Sequence, residues 1–97
     1  NKKFNLIYFN DLTNIKKLIS NKNTETIIFD IDNLSNNKIK SFKYVRSLTN
    51  KPIIVISSNN TDDIVLFFSL GADDYVVKPL SVKELIMRIQ AIYNRNK

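Results

Sequence analysis

Pro52-Ile53-Ile54-Val55-Ile56-Ser57 is the stretch on which the fold turns: a proline, four consecutive β-branched residues and a small polar residue. An apolar run of this length reads as a strand of a parallel sheet covered by helices. Two further runs end in the same way. Thr26-Ile27-Ile28-Phe29 ends on Asp30, and Tyr75-Val76-Val77 ends on Lys78-Pro79. If the three are parallel neighbours, their carboxyl ends bring a carboxylate, a hydroxyl and an ammonium to the sheet edge where open α/β folds bind ligands. That combination makes a phosphoryl-transfer site.

Working outward, runs of four to six apolar residues alternate with helical patterns of about ten, the βα alternation of a parallel sheet flanked by helices. A first strand is expected over residues 4–9. Leu12, Ile15, Leu18 and Ile19 then recur at helical spacing, and Ile39, Phe42, Val45 and Leu48 mark a second helix that Pro52 ends. Thr61 is a plausible N-cap for a third helix with a stripe of Ile64, Phe67 and Phe68, and Gly71 sits where a left-handed residue would close it. Ser81-Val82-Lys83-Glu84 has capping-box spacing before a last helix with Leu85, Ile86, Ile89 and Ile92 on one face. The whole chain, residues 1–97, reads as a single domain.

The chain has neither cysteine nor histidine. Disulfides, thiol-ligated metals, imidazole catalysis and His-ligated zinc or iron are therefore excluded. No apolar stretch approaches the roughly 20 residues that cross a membrane, and the amino terminus does not read as a secretion signal, so a cytoplasmic location without membrane association is expected. The net charge of +6 is spread along the chain, which argues against a nucleic-acid patch.

From Phe42 onward the sequence resembles the second half of a response-regulator receiver domain, the phospho-accepting module of two-component signalling. Pro52-Ile-Ile-Val-Ile-Ser-Ser, Gly71-Ala-Asp-Asp-Tyr-Val-Val-Lys-Pro-Leu, Lys83-Glu84-Leu85 and Arg88 carry the resemblance, which is strongest to receivers of the winged-helix transcription-factor subfamily. It implies a flavodoxin-like fold that is not an enzyme, with Asp30 as phosphoacceptor. Mg²⁺ would be held by Asp11, Asp30 and the backbone carbonyl of Asp32. It implies Ser57 and Lys78 as phosphoryl-binding groups, and Tyr75 as an aromatic that changes rotamer when Ser57 moves. The chemistry is consistent: a carboxylate attacks phosphorus without deprotonation, and a metal and an ammonium stabilise the equatorial oxygens. Implied partners are a sensor histidine kinase and a second copy of the chain, through a surface bearing Asp73, Asp74, Glu84, Arg88 and Arg95. DNA would be reached only through an effector domain outside this sequence. Lys78-Pro79 is where a cis peptide bond is expected.

Each residue also has a plainer reading. Asp30 could be a solvated strand-end carboxylate, Ser57 a turn former, Lys78 a surface lysine, Tyr75 a core residue and Asp11 a helix cap. The dimer-surface charges could be ordinary solvated residues.

Three departures from the family pattern matter. The acidic pair after the first strand is Asn10-Asp11 here, and the loop after Asp30 lacks the family's proline and glycine. Between Asn10 and Asp30 there is room for one helix, so a βα unit is missing and four strands are expected instead of five. Right-handed crossovers would then place the first three helices on one sheet face and leave the last helix alone on the other, with the first strand an unprotected edge and apolar sheet surface exposed. These departures leave a second function open, a degenerate receiver acting as a phosphorylation-independent dimerisation or partner-binding module. A third is a haloacid-dehalogenase-like phosphatase, suggested by the Asp30-Ile31-Asp32 motif and opposed by the absence of Gly-Thr after it.

Overall fold

A computed structural model of the chain describes residues 6–9 (through their backbone), 14–22, 25–32, 37–58 and 63–95. In chain order the elements are β1 (Leu6–Phe9), α1 (Ile15–Ile19), β2 (Thr26–Asp30), α2 (Lys38–Leu48), β3 (Ile53–Ser57), α3 (Asp63–Ser69), β4 (Asp74–Val77) and α4 (Val82–Arg95). The strands form one parallel sheet in the order β1-β2-β3-β4, with β1 and β4 at its edges. Four strands are present among the described residues, in keeping with the short interval before Asp30.

The sheet order never reverses, so each right-handed crossover deposits its helix on the same side. The observed cores follow. On one face Ile15 and Ile19 of α1, Phe42 and Val45 of α2 and Phe67 of α3 pack on Ile27, Phe29, Ile53, Val55 and Tyr75. On the other, α4 is the one helix among the described residues, supplying Ile89 and Ile92 against Ile28, Ile54, Ile56 and Val76, with Leu80 beside them. The expected exposed sheet surface is not seen at β2, where Ile28 on the α4 face is 2% exposed. Alternation along each strand explains why β2 and β3 are buried at every position: successive side chains enter opposite cores.

Through the larger core runs a row of rings. Phe29 and Phe42 have centroids 5.7 Å apart, Phe42 meets Phe67 edge-on at 5.3 Å, and Phe67 lies 6.2 Å from Tyr75. These are favourable aromatic separations, and the row links β2, α2, α3 and β4.

The helix-end signals are local and hold. Gly71 has φ +110°, its N–H donates to the Phe68 carbonyl at 3.1 Å, and the Ala72 N–H donates to that of Phe67 at 3.0 Å, a Schellman closure of α3. A Cβ at Gly71 would also meet Arg46 Cδ at 3.0 Å. The Arg46 guanidinium braces this corner, donating to the carbonyls of Thr49 and Lys51 at 2.7 Å each and of Gly71 at 3.1 Å. Ser81 Oγ accepts the Glu84 N–H at 3.0 Å, half of the capping box. The Lys78-Pro79 bond is cis. The Thr61 cap lies outside the described residues. The expected stripes are too wide: Leu18, Ile39, Phe68 and Ile86 stay partly exposed while Phe42, Phe67 and Ile89 are buried.

Phe42→Ala, which interrupts the ring row, is expected to cost about 3–5 kcal/mol. Gly71→Ala should cost about 1–3 kcal/mol through the strained backbone alone. Urea unfolding checks both, with the midpoint falling further for Phe42→Ala.

Candidate phosphoryl site

The sheet register delivers the site. Asp30 stands opposite Ile56 and Ser57 opposite Val77, so Asp30, Ser57 and Lys78 step over the carboxyl edge on three adjacent strands. The chain past β2 and β4 stays tied to β3, since the Ile31 N–H donates to the Ile56 carbonyl at 3.1 Å and the Lys78 N–H to the Ser57 carbonyl at 2.8 Å. The three residues named from sequence are thus brought together.

Lys78 Nζ donates to Asp30 Oδ2 at 2.9 Å and to Asp32 Oδ2 at 2.9 Å. The two carboxylates differ sharply in burial, with the Asp30 side chain 2% and that of Asp32 27% exposed. A buried carboxylate needs a charged or hydrogen-bonding partner, and Lys78 provides it. The hydrogen bond from Lys78 to Asp30, followed by that to Asp32, holds the ammonium well above the usual lysine range. Desolvation pushes the Asp32 carboxyl upward, but the Lys78 and Ser58 hydrogen bonds outweigh it and leave Asp32 below the ordinary carboxylate value.

Asp30 Oδ1 accepts the Asp32 N–H at 3.0 Å, closing a short turn after β2. The Asp32 side chain then reaches β3: Ser57 Oγ donates to Oδ1 at 3.3 Å, and the Ser58 N–H lies 3.1 Å from both carboxylate oxygens. The roles of the Asp32 carboxylate and the Ser58 amide are missing from the sequence reading, which used only the Asp32 carbonyl. No local sequence signal announces them, since Asp32 leaves the strand through a turn and meets Ser58, 26 residues away.

Tyr75 is buried, 7% exposed, at the end of the ring row. Asp11 lies outside the described residues. Among the described residues no group of three or more Asp, Glu, His or Cys side chains could hold a metal ion. The Asp30 and Asp32 carboxylates are hard oxygen donors of the kind Mg²⁺ takes, and here Lys78 holds both.

Away from this edge, Arg88 Nη1 meets both oxygens of Asp74, at 3.1 and 3.0 Å, and Arg88 Nε meets Glu84 at 3.2 Å. The Asp74 hydrogen bond raises the guanidinium above its ordinary value. Asp73 is engaged within the chain, accepting from the Ile53 N–H at 2.8 Å and from Arg46 at 3.3 Å. A groove of about 790 Å³ on this side is lined by Phe68, Asp74, Met87 and Arg88 among others.

No protein-family model matches the chain. It is 33% identical over 93 residues, 95% of its length, to response regulator protein GraR of Staphylococcus epidermidis, covering 42% of that protein. It is 35% identical over 88 residues, 90% of its length, to the transcriptional regulatory protein CpxR homolog of Haemophilus influenzae, covering 38%. The chain therefore spans about two fifths of the length of these curated relatives. Among solved structures it is similar to a two-component response regulator from Clostridium difficile (TM-score 0.78, 25% identity, 99% of both chains covered). It is also similar to the receiver domain of the TMAO respiratory response regulator TorR, with a TM-score of 0.74 and 26% identity over 88% of this chain and 72% of that one.

Removing Lys78 tests the electrostatics directly. Lys78→Met should destabilise the chain by about 1–3 kcal/mol, the cost of stranding a buried charged acceptor. The same change in an Asp30→Asn background should cost less, and equal losses in a denaturant double-mutant cycle would count against the pairing. Sequence likeness over almost the whole length, and a fold shared with receiver structures, place this chain in the receiver-domain family of response regulators.

Proposed function

We propose that this chain is a phospho-accepting receiver that takes a phosphoryl group onto Asp30 from the phosphohistidine of a sensor histidine kinase. The observation that carries the reading is the 2.9 Å contact between Lys78 Nζ and the buried Asp30 Oδ2, made at a strand edge that also presents Ser57. In the transfer an Asp30 carboxylate oxygen forms the new bond to phosphorus. The phosphorus–nitrogen bond to the donor breaks, and its electron pair stays on the imidazole, which takes up a proton from solvent. Lys78 is already charged and stands beside Asp30, so once its hold on the carboxylates loosens it can stabilise oxygens of the transferring group. Ser57 contributes a hydroxyl donor.

Mg²⁺, when bound, would supply the remaining charge neutralisation, held by the carboxylates of Asp11 and Asp30 and the carbonyl of Asp32. The Asn10-Asp11 pair offers one carboxylate where the family has two, so weak metal affinity is expected.

The output surface proposed is the α3-β4-α4 side, where a second copy of the chain would dock. Phe68 and Met87 are 46% and 62% exposed there, beside the Arg88–Asp74–Glu84 cluster. The name of the Haemophilus relative supports regulation of transcription as the downstream effect, through a portion of the protein beyond this chain; a cytoplasmic setting is proposed with it.

The degenerate-receiver reading has one observation in its favour: the donors that would hold phosphoryl oxygens already hold Asp32. Incubation with Mg²⁺ and acetyl phosphate, followed by intact mass, decides between them. Gain of one phosphoryl group, lost in Asp30→Asn, is expected, and no gain would favour the degenerate module. Turnover of p-nitrophenyl phosphate would instead indicate a phosphatase. For the surface, Arg88→Glu should weaken self-association in sedimentation at micromolar concentration; an unchanged distribution would remove Arg88 from the interface.

A further inference from the structure

The Asp32 carboxylate makes a set of contacts that the receiver reading does not require. Three donors converge on it from the ends of two neighbouring strands: the Lys78 ammonium at 2.9 Å, the Ser57 hydroxyl at 3.3 Å and the Ser58 amide at 3.1 Å. An ammonium, a hydroxyl and a backbone N–H facing one point form a binding site for an oxyanion. Lys78 and Ser57 are also the groups assigned above to the phosphoryl oxygens.

We propose that Asp32 is an intramolecular stand-in for the phosphoryl group, its carboxylate resting on Lys78, Ser57 and Ser58, so that a phosphoryl group arriving on Asp30 must displace it. The second half of this statement rests on the reading of Asp30 as phosphoacceptor.

Local structure explains why Asp32 is placed there. Its own N–H is held by Asp30 Oδ1, and this turn carries residue 32 back over the end of β3. Asp32 is the outer of the two carboxylates on Lys78, while Asp30 lies almost wholly buried beneath the sheet edge. An incoming anion therefore meets the Asp32 charge first. It is opposed twice: the donors are occupied, and like charge repels it. Once phosphorus is bonded to Asp30, the doubly charged group holds the donors more strongly than a single carboxylate can, and Asp32 is released.

The test compares the 97-residue chain with Asp32→Ala and Asp32→Asn. Acetyl phosphate and Mg²⁺ supply the phosphoryl group: an Asp30 oxygen bonds to phosphorus, the phosphorus–oxygen bond to the acetyl group breaks, and its electron pair leaves with acetate. Removing a charge-assisted contact should accelerate phosphoryl gain by about tenfold in Asp32→Ala, with Asp32→Asn faster than the parent because it keeps the shape without the charge. Equal or slower gain in both variants would overturn the displacement.

A second readout needs neither phosphodonor nor metal. The Ser58 amide resonance should move upfield in Asp32→Ala, with faster hydrogen exchange, and an unchanged resonance would overturn the occupation itself. Failure of the Asp30 reading looks different: no protein, parent included, gains a phosphoryl group, while the Ser58 resonance still moves. Titration with inorganic phosphate, followed at Ser58, then decides the displacement, with about tenfold tighter binding by Asp32→Ala expected and equal affinity overturning it.

Discussion

The handedness of the β–α–β crossover is the constraint on which this structure depends. With strands laid down in the order β1-β2-β3-β4, every connection moves the same way across the sheet, and a right-handed connection has one side on which to place its helix. α1, α2 and α3 therefore share a core, and the opposite face is left to α4. In doubly wound sheets the ligand crevice opens where strand order reverses. This order has no reversal among the described strands, so the polar edge is built differently. It depends on the lengths of three consecutive strands, set so that Asp30, Ser57 and Lys78 emerge one step apart.

At that edge the charges do not balance by themselves. Among the described residues one ammonium serves two carboxylates, a formal excess of one negative charge beside a buried Asp30. The Ser58 amide and the Ser57 hydroxyl offset part of it by aiming their dipoles at Asp32. Such a site is stable as an internally satisfied network and resists a further anion unless a cation accompanies it. Asp30 has partners for both oxygens, from the Asp32 N–H and from Lys78, so attack on phosphorus requires one of these contacts to lengthen.

What the sequence made legible was whatever is decided locally or by strand alternation. The uninterrupted apolar runs gave the buried strands, Gly71 and Ser81 marked real helix ends, and the short interval before Asp30 gave both the strand count and the one-sided helices. Stripe width was overread at Leu18, Ile39, Phe68 and Ile86, since an apolar residue at helical spacing faces the core only if the helix is rolled toward it, and that roll is set by the partner layer. Phe68 shows this: it follows fully buried Phe67 and turns outward, because the ring row fixes Phe67 between Phe42 and Tyr75. The Asp32 carboxylate was illegible for another reason, its contact with Ser58 joining residues 26 apart through a turn whose shape no local pattern announces.

β4 ties the site to the surface of α4. Asp74 at its start holds Arg88 of α4, Tyr75 closes the ring row, and Lys78 just past its end grips Asp30 and Asp32. Among the described strands it is hydrogen-bonded only to β3, so shifting it disturbs one ladder, whereas shifting β3 would disturb two. A change in what Lys78 holds therefore acts on an edge strand, and that strand carries an anchor of α4. This makes the Asp74–Arg88 contact the place where a rearrangement at the carboxyl edge meets the outer surface, and gives a physical reason for α4 to be held by a charge pair as well as by the apolar contacts of Ile89 and Ile92.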